Sequence, residues 1–174
     1  MSAEKDFLRP PFPTFVDLLA DKVAEEGIDE DSVVPRVGLM FRKLHQLMDD
    51  DGNQRVHRPG GWSRSDFRIC IALWTLGPIP SRRITEVTNM GRATVSAALN
   101  RLSSADMVTK EPFAGDLRSV MVRLTPKGET SIRESYAGHL QVEHEWFDVL
   151  TDIEKQVLMM LLSKVMLHRG PKKL

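Results

Sequence analysis

Between residues 81 and 128 two short helical patterns, a tight corner and a two-stranded hairpin follow in immediate succession, an order few folds accommodate. In the run RATVSAALNRL, a helix starting near Arg92 puts Val95, Ala98, Leu99 and Leu102 at i, i+3, i+4 and i+7, so they share one stripe. The opposite face carries Ala93, Ser96, Ala97 and Asn100, with Thr94 and Arg101 on its edge. An ordinary surface helix shows Glu and Lys there. Side chains this short let a helix backbone approach another surface closely. Their hydroxyls and amide offer donors and acceptors of the kind that read base edges.

The neighbouring residues complete a unit. Ser81 after Pro80 is a candidate N-cap, and Ile84 and Val87 give a short helix its inner face. Asn89-Met90-Gly91 matches the corner of a helix-turn-helix, with the glycine expected to supply a positive φ. After the second helix, residues 107–111 and 120–124 alternate as two strands around the polar loop 114–119. Thr125-Pro126 then restarts a helix, threonine as cap and proline at the first helical position.

Three motifs in this region carry a family resemblance. They are Ser63-x-x-x-Phe67 at a helix start, Arg92-Ala-Thr-Val-Ser96 opening the second helix of the corner, and Asp116-x-Arg118 followed by Leu124-Thr125-x-x-Gly128. In this order and spacing they resemble the winged helix-turn-helix core of the MarR family of bacterial transcriptional regulators, over some 70 of the 174 residues. The resemblance implies a mainly α fold with a small β-hairpin wing, in which a winged helix-turn-helix core is flanked by N- and C-terminal dimerisation helices. It implies a sequence-specific DNA-binding regulator, a ligand-responsive homodimeric repressor with no catalytic role. Helix 92–104 would lie in the major groove and the wing, 113–119, in the minor groove.

The DNA-facing residues implied are Ser81, Arg82, Arg92, Ala93, Thr94, Ser96, Asn100 and Arg101, together with Asp116 and Arg118 of the wing. Arg118 would enter the narrow, electronegative minor groove, its guanidinium directed by the Asp116 carboxylate. The family often has a second basic residue between these two; here it is Leu117. The resemblance further implies a small aromatic or phenolic effector between the DNA-binding lobe and the dimer helices. Phe41, Leu44, His45, Trp62 and Trp74 lie on elements expected to meet there, and each is equally accounted for by core packing.

Charge is distributed in keeping with this assignment, although the net charge is zero. Residues 1–54 hold 6 basic and 12 acidic side chains, whereas residues 55–80 hold 4 and 1 and residues 81–128 hold 8 and 4. Residues 129–174 hold 6 and 7. Positive charge is therefore concentrated where DNA contact is expected. Because the excess is moderate, binding should lean on dimer geometry, and the acidic N-terminal third should sit away from phosphates.

The flanking segments supply the scaffold, in a layout of residues 1–54, 55–128 and 129–174 within one intertwined domain. Pro13-Thr14 opens an amphipathic helix with Phe15, Leu18, Leu19 and Val23, closed by Gly27. A second helix carries Val37, Met40, Phe41, Leu44 and Met48 and is expected to end in the polar turn 49–53. A third is capped by Ser63 with Asp66 and buries Phe67, Cys70, Ile71 and Trp74 before Gly77-Pro78 stops it. A long helix from about residue 126 to 149 follows, with Ile132, Tyr136, Leu140 and Phe147 near one face. The last, announced by Thr151 and Glu154, runs to about His168 and is apolar all round in residues 157–162. Exposing a few hundred Å2 of such surface costs several kcal/mol at roughly 25 cal/mol per Å2. A second copy covering it resolves the cost, and a two-fold dimer calls for a roughly palindromic double-stranded operator.

Other function classes find little support. The single cysteine, Cys70, excludes an internal disulfide, fits a reducing cytoplasmic compartment, and lies on an apolar stripe as a structural thiol. The reactive cysteine near the N-terminus that peroxide-sensing members of the family use is missing here. His139, Glu143 and His144 lack the partners of a metal site and read as solvated helix surface. No phosphate-cradling glycine loop, nucleophile elbow or placed carboxylate pair occurs, so no cofactor is expected. No stretch has the length of a membrane span, and MSAEKDFLRP lacks the order of a signal peptide. Two alternatives stay open: a winged-helix protein-interaction module, and a small-molecule-binding protein without a DNA role.

Overall fold

The computed structural model describes residues 10–29, 31, 33–112 and 120–168. They divide into two compact units, one ending at Asp50 and the other beginning at Asp51.

In the first unit, α1 (Phe12–Glu25) starts behind Pro11, and α2 (Val33–Gly52) starts where the Val33 amide donates to the Asp31 carboxylate at 3.0 Å. The two helices run antiparallel. Arg36 of α2 holds Asp17 at 2.9 Å and Asp21 at 3.1 Å, and Lys43 lies 5.6 Å from the centre of the Phe12 ring. The aspartates adjoin Val16 and Ala20, which are the buried residues of α1. The stripe expected at Phe15, Leu18, Leu19 and Val23 is therefore displaced, and Phe15 and Leu18 are exposed. On α2, Val37, Met40, Phe41 and Leu44 keep their helical spacing but are all exposed.

The polar run 49–53 does not end a helix. Helix α2 continues through Gly52 into one π-helical turn, Asn53–His57. Asp51 and Arg55 are engaged by a later helix, α6 (Pro126–Phe147), which holds the chain at this point. Trp146 Nε1 donates to Asp51 at 3.1 Å, and Arg55 joins Glu145 through two hydrogen bonds of 2.7 and 2.9 Å. Gly52 is small enough for His139 to approach; a Cβ there would stand 3.2 Å from the ring Nδ1.

Helix α3 (Arg64–Leu76) is the centre of the second unit. Ser63 caps it, accepting from the Asp66 amide at 3.1 Å, and Gly77 ends it at φ 74°. Because α3 meets α4 (Ser81–Thr88), α5 (Arg92–Ser104), α6 and the sheet, it is buried on more than one side. Ile69, Ala72 and Leu73 are buried with Phe67 and Cys70, while Trp74, expected inside, is exposed. A single stripe describes a helix with one partner, and α3 has several.

The sheet has three antiparallel strands in the order β1-β3-β2. Strands β2 (Val108–Pro112) and β3 (Val120–Leu124) form the hairpin, with Lys110 opposite Val122. A third, two-residue strand β1 (Ile79–Pro80) was not legible in the sequence and pairs Ile79 with Val122. It anchors the start of α4 to the hairpin. Thr125 caps α6 by accepting from the Gly128 amide at 3.0 Å. The last helix, α7 (Asp152–His168), opens with a reciprocal box between Thr151 and Glu154 and has no buried residue.

Candidate nucleic-acid interface

Helices α4 and α5 meet at the corner expected for a helix-turn-helix, with one difference in its chemistry. The left-handed residue is Asn89, at φ 52° and ψ 31°, and Gly91 is instead the extended N-cap of α5 at φ −64°. Asparagine tolerates this conformation better than other non-glycine residues, so the corner does not depend on the glycine's freedom. The end of α4 is pinned from α3, because Arg68 Nη2 donates to the Thr88 carbonyl at 2.6 Å. Ser81, expected as the N-cap, is the first helical residue; Pro80 holds the cap position, and the Ser81 carbonyl accepts from Thr85 Oγ1.

Helix α5 buries Val95, Ala98, Leu99 and Leu102, the four residues of the predicted stripe. Arg92, Ala93, Thr94, Ser96, Ala97 and Asn100 are exposed. The open face thus consists of one cation at the helix start and short polar or methyl groups behind it. Asn100 Oδ1 accepts from Lys110 Nζ of β2 at 2.7 Å, which brings a further cation to this face. Lys110 was missed from sequence because its closeness to α5 depends on the hairpin folding back. Arg82 and Arg83 both reach Glu86, whose carboxyl is held below its usual range chiefly by the hydrogen bond from Arg83.

Arg101 is placed differently from its neighbours. Its guanidinium turns away from the open face toward the start of α3, where Nη2 meets Asp66 Oδ1 at 2.8 Å and Nε meets Oδ2 at 3.3 Å. Nη2 also donates to Ser63 Oγ at 3.3 Å and Ser65 Oγ at 3.1 Å. Asp116 and Arg118 lie outside the described residues, as does the rest of loop 113–119.

Of the five residues named for an effector, Trp62 and Trp74 lie in the second unit, beside different cavities. Trp62 is buried, with its Nε1 donating to Ser135 Oγ at 2.6 Å, beside a polar cleft of about 500 Å3 that includes Asp66 and Arg101. The Trp74 ring lies tilted against Tyr136, 5.5 Å between centroids, next to a more apolar cavity of about 370 Å3 lined by Phe67, Ile71, Val87, Tyr136 and His139. Phe41, Leu44 and His45 are on α2, in the first unit, and are exposed. His139, read from sequence as solvated surface, is largely covered. It packs 5.4 Å from Phe67 and 5.3 Å from the buried His57, so the long helix carries aromatic chemistry inward. Cys70 is fully buried, and burial pushes its thiol up to about 12, which makes it inert as a nucleophile at neutral pH. No group of three metal-ligating side chains occurs among the described residues.

Comparison with known proteins agrees with this geometry. The model of a winged helix DNA-binding domain matches residues 68–128. The chain is 31% identical over 99 residues to YwaE of Bacillus subtilis, an uncharacterised HTH-type transcriptional regulator, covering 57% of this chain and 58% of that one. It is 26% identical over 133 residues to NicR of Pseudomonas putida, an HTH-type transcriptional repressor, covering 76% and 84%. A mutant of MarR from E. coli, solved with operator DNA, superposes with a TM-score of 0.69 at 22% identity, over 79% of this chain and all but 1% of that one. BpsR of Bordetella bronchiseptica, solved in work on regulation of its DNA binding by 6-hydroxynicotinic acid, gives 0.67 at 24% identity, over 75% and 98%. Among the described residues no helix is long and apolar enough to cross a membrane. With a winged helix DNA-binding domain matched over residues 68–128 and HTH-type transcriptional regulators among its relatives, the chain carries a winged helix-turn-helix DNA-binding lobe and shares the fold of the MarR structures.

Proposed function

We propose that the protein is a homodimeric, ligand-responsive repressor that binds roughly palindromic operator DNA. The observation that carries this is the open face of α5, where Arg92, Thr94, Ser96 and Asn100 project from a backbone with no bulky side chain in the way. Ala93 leaves room for close approach, and its methyl suits the methyl group of a thymine. Ser81 and Arg82 at the start of α4 border the groove, where they meet phosphates. The wing, with Asp116 directing Arg118, enters the neighbouring minor groove. That NicR is a repressor, and that MarR was solved on operator DNA, supports the same role here.

Residues 1–54 and 129–174 act as dimerisation segments around the lobe 55–128. In α7, Ile153, Val157, Met159, Met160 and Val165 are exposed apolar side chains. An apolar groove of about 360 Å3 runs between α6 and α7, lined by Leu140, Phe147, Leu158 and Leu162. A monomer rarely leaves so much contiguous apolar surface in water. A second copy on this face also sets two α5 helices for successive major grooves.

The effector is a small aromatic or phenolic molecule, and the mostly apolar cavity bordered by Tyr136 and His139 is the place we assign to it. Its lining is mostly apolar, with Tyr136 and His139 as amphipathic rings and Arg68, Thr75 and Thr88 as polar groups. BpsR, whose DNA binding is regulated by 6-hydroxynicotinic acid, supports this class of effector. Such a ligand acts by its unequal affinity for two spacings of the recognition helices. The protein works in the cytoplasm, where its DNA is. Hydroxyl-radical footprinting on the DNA flanking its own gene tests the assignment. Two protected half-sites about 10 base pairs apart centre to centre, or a multiple of that, support it; protection of a single short site, or none, rejects the dimeric operator complex.

A further inference from the structure

The bond between Arg101 and Asp66 joins the C-terminal turn of α5 to the N-terminal turn of α3. Each charge sits where its own helix dipole favours it, a cation near the last carbonyls and a carboxylate near the first amides. The Asp66 side chain is only 11% exposed, and its acceptor oxygens are both taken by the guanidinium of Arg101. The two serines that accept from Arg101 complete the socket, and one of them is the cap of α3.

Apolar packing seats α5 on the lobe. The stripe of Val95, Ala98, Leu99 and Leu102 holds the helix down by non-directional burial, which constrains its roll less sharply than a directional bond does. A two-pronged, directional ion pair at the end of the helix supplies that constraint. Roll matters because side chains as short as Ser96 and Asn100 reach a base edge over a narrow angular range.

We propose that Arg101 is a positioning residue: it serves DNA recognition through Asp66, by setting the roll of α5, and makes no phosphate contact of its own. This rests on the assignment of α5 to the major groove. The same bond places Arg101 outside the DNA-facing set in which the family resemblance puts it.

Affinity is measured by fluorescence anisotropy over a salt series, on a duplex that the wild-type protein has enriched from a randomised library. The variants are Arg101→Lys, Arg101→Gln, Asp66→Asn and the double variant Arg101→Gln/Asp66→Asn. Lysine keeps the charge and loses the fork, so it separates the two roles and still reports if Asp66→Asn fails to fold. The expected result is a loss on the order of tenfold for all three single variants, with no further loss in the double variant. Arg101→Lys keeps the wild-type salt slope. A phosphate contact gives the opposite pattern: Arg101→Lys binds nearly as wild type, and Asp66→Asn binds equally or more tightly. That pattern overturns the proposal. Failure of the wild-type protein to enrich any duplex overturns the groove assignment instead, and the positioning role with it.

Discussion

Gly128, in the first turn of α6, lies so close to the backbone carbonyl of Met107 that a side chain at this position would occupy the space of the carbonyl oxygen. The same carbonyl accepts from the Thr125 amide at 3.0 Å, and Thr125 Oγ1 donates to the Asp106 carbonyl at 2.7 Å. The Leu-Thr-x-x-Gly motif is therefore a joint that seats the long helix on the base of the hairpin. Replacing Gly128 with alanine should destabilise the protein by about 1–3 kcal/mol, the range for forcing atoms into a filled site. Urea unfolding reads the loss as a lower midpoint; an unchanged midpoint would show that the joint tolerates a side chain.

The exposed apolar face of α7 makes a separate prediction. Met160→Glu and Leu161→Glu place charges at exposed positions of α7, so they should leave helical content unchanged. Sedimentation should show wild type as a dimer and these variants shifted toward monomer. Variants as dimeric as wild type would assign the dimer contact to another face.

Acid sensitivity follows from Glu145. The hydrogen bonds it accepts from Arg55 hold its carboxyl below the usual range, and Glu145 in turn holds the Arg55 guanidinium above its ordinary value. A group whose pKa is depressed by folding stabilises the native state above its unfolded pKa of about 4.3, and loses that contribution as pH falls through the lower folded value. Glu145→Gln should be less stable than wild type at neutral pH, with the difference closing below about pH 4. Thermal melts at both ends test this. A difference that stays constant down to about pH 2 would place the effect elsewhere than in the ionised carboxylate.

Local signals were legible in the sequence and non-local ones were not. Ser63 with Asp66, Thr151 with Glu154 and Thr125 with Gly128 are caps made within four residues, and the structure forms each of them. The buried stripe of α5 was legible because that helix rests on one side only. The π turn at residues 53–57 was not, because the partners of Asp51 and Arg55 lie some ninety residues away on α6. Periodicity placed Trp74 inside α3 and missed Ile69, since a helix with several partners has no single stripe. In the candidate interface, residue type was enough to mark Ser96 and Asn100. The turn of Arg101 toward the start of α3 depends on Asp66, 35 residues earlier, and no local pattern announces it.

Specific binding to operator DNA is the central claim, and the ratio of specific to random affinity tests it most directly. Anisotropy of a labelled duplex from the DNA flanking the protein's own gene, against a random duplex of equal length over a salt series, gives that ratio. Operator DNA should be preferred by about a thousandfold or more, at a stoichiometry of one dimer per site. Affinity should also fall steeply with salt for both duplexes, since phosphates carry the unspecific part. Equal, weak binding to both duplexes, and to every duplex drawn from a randomised library, would contradict the claim.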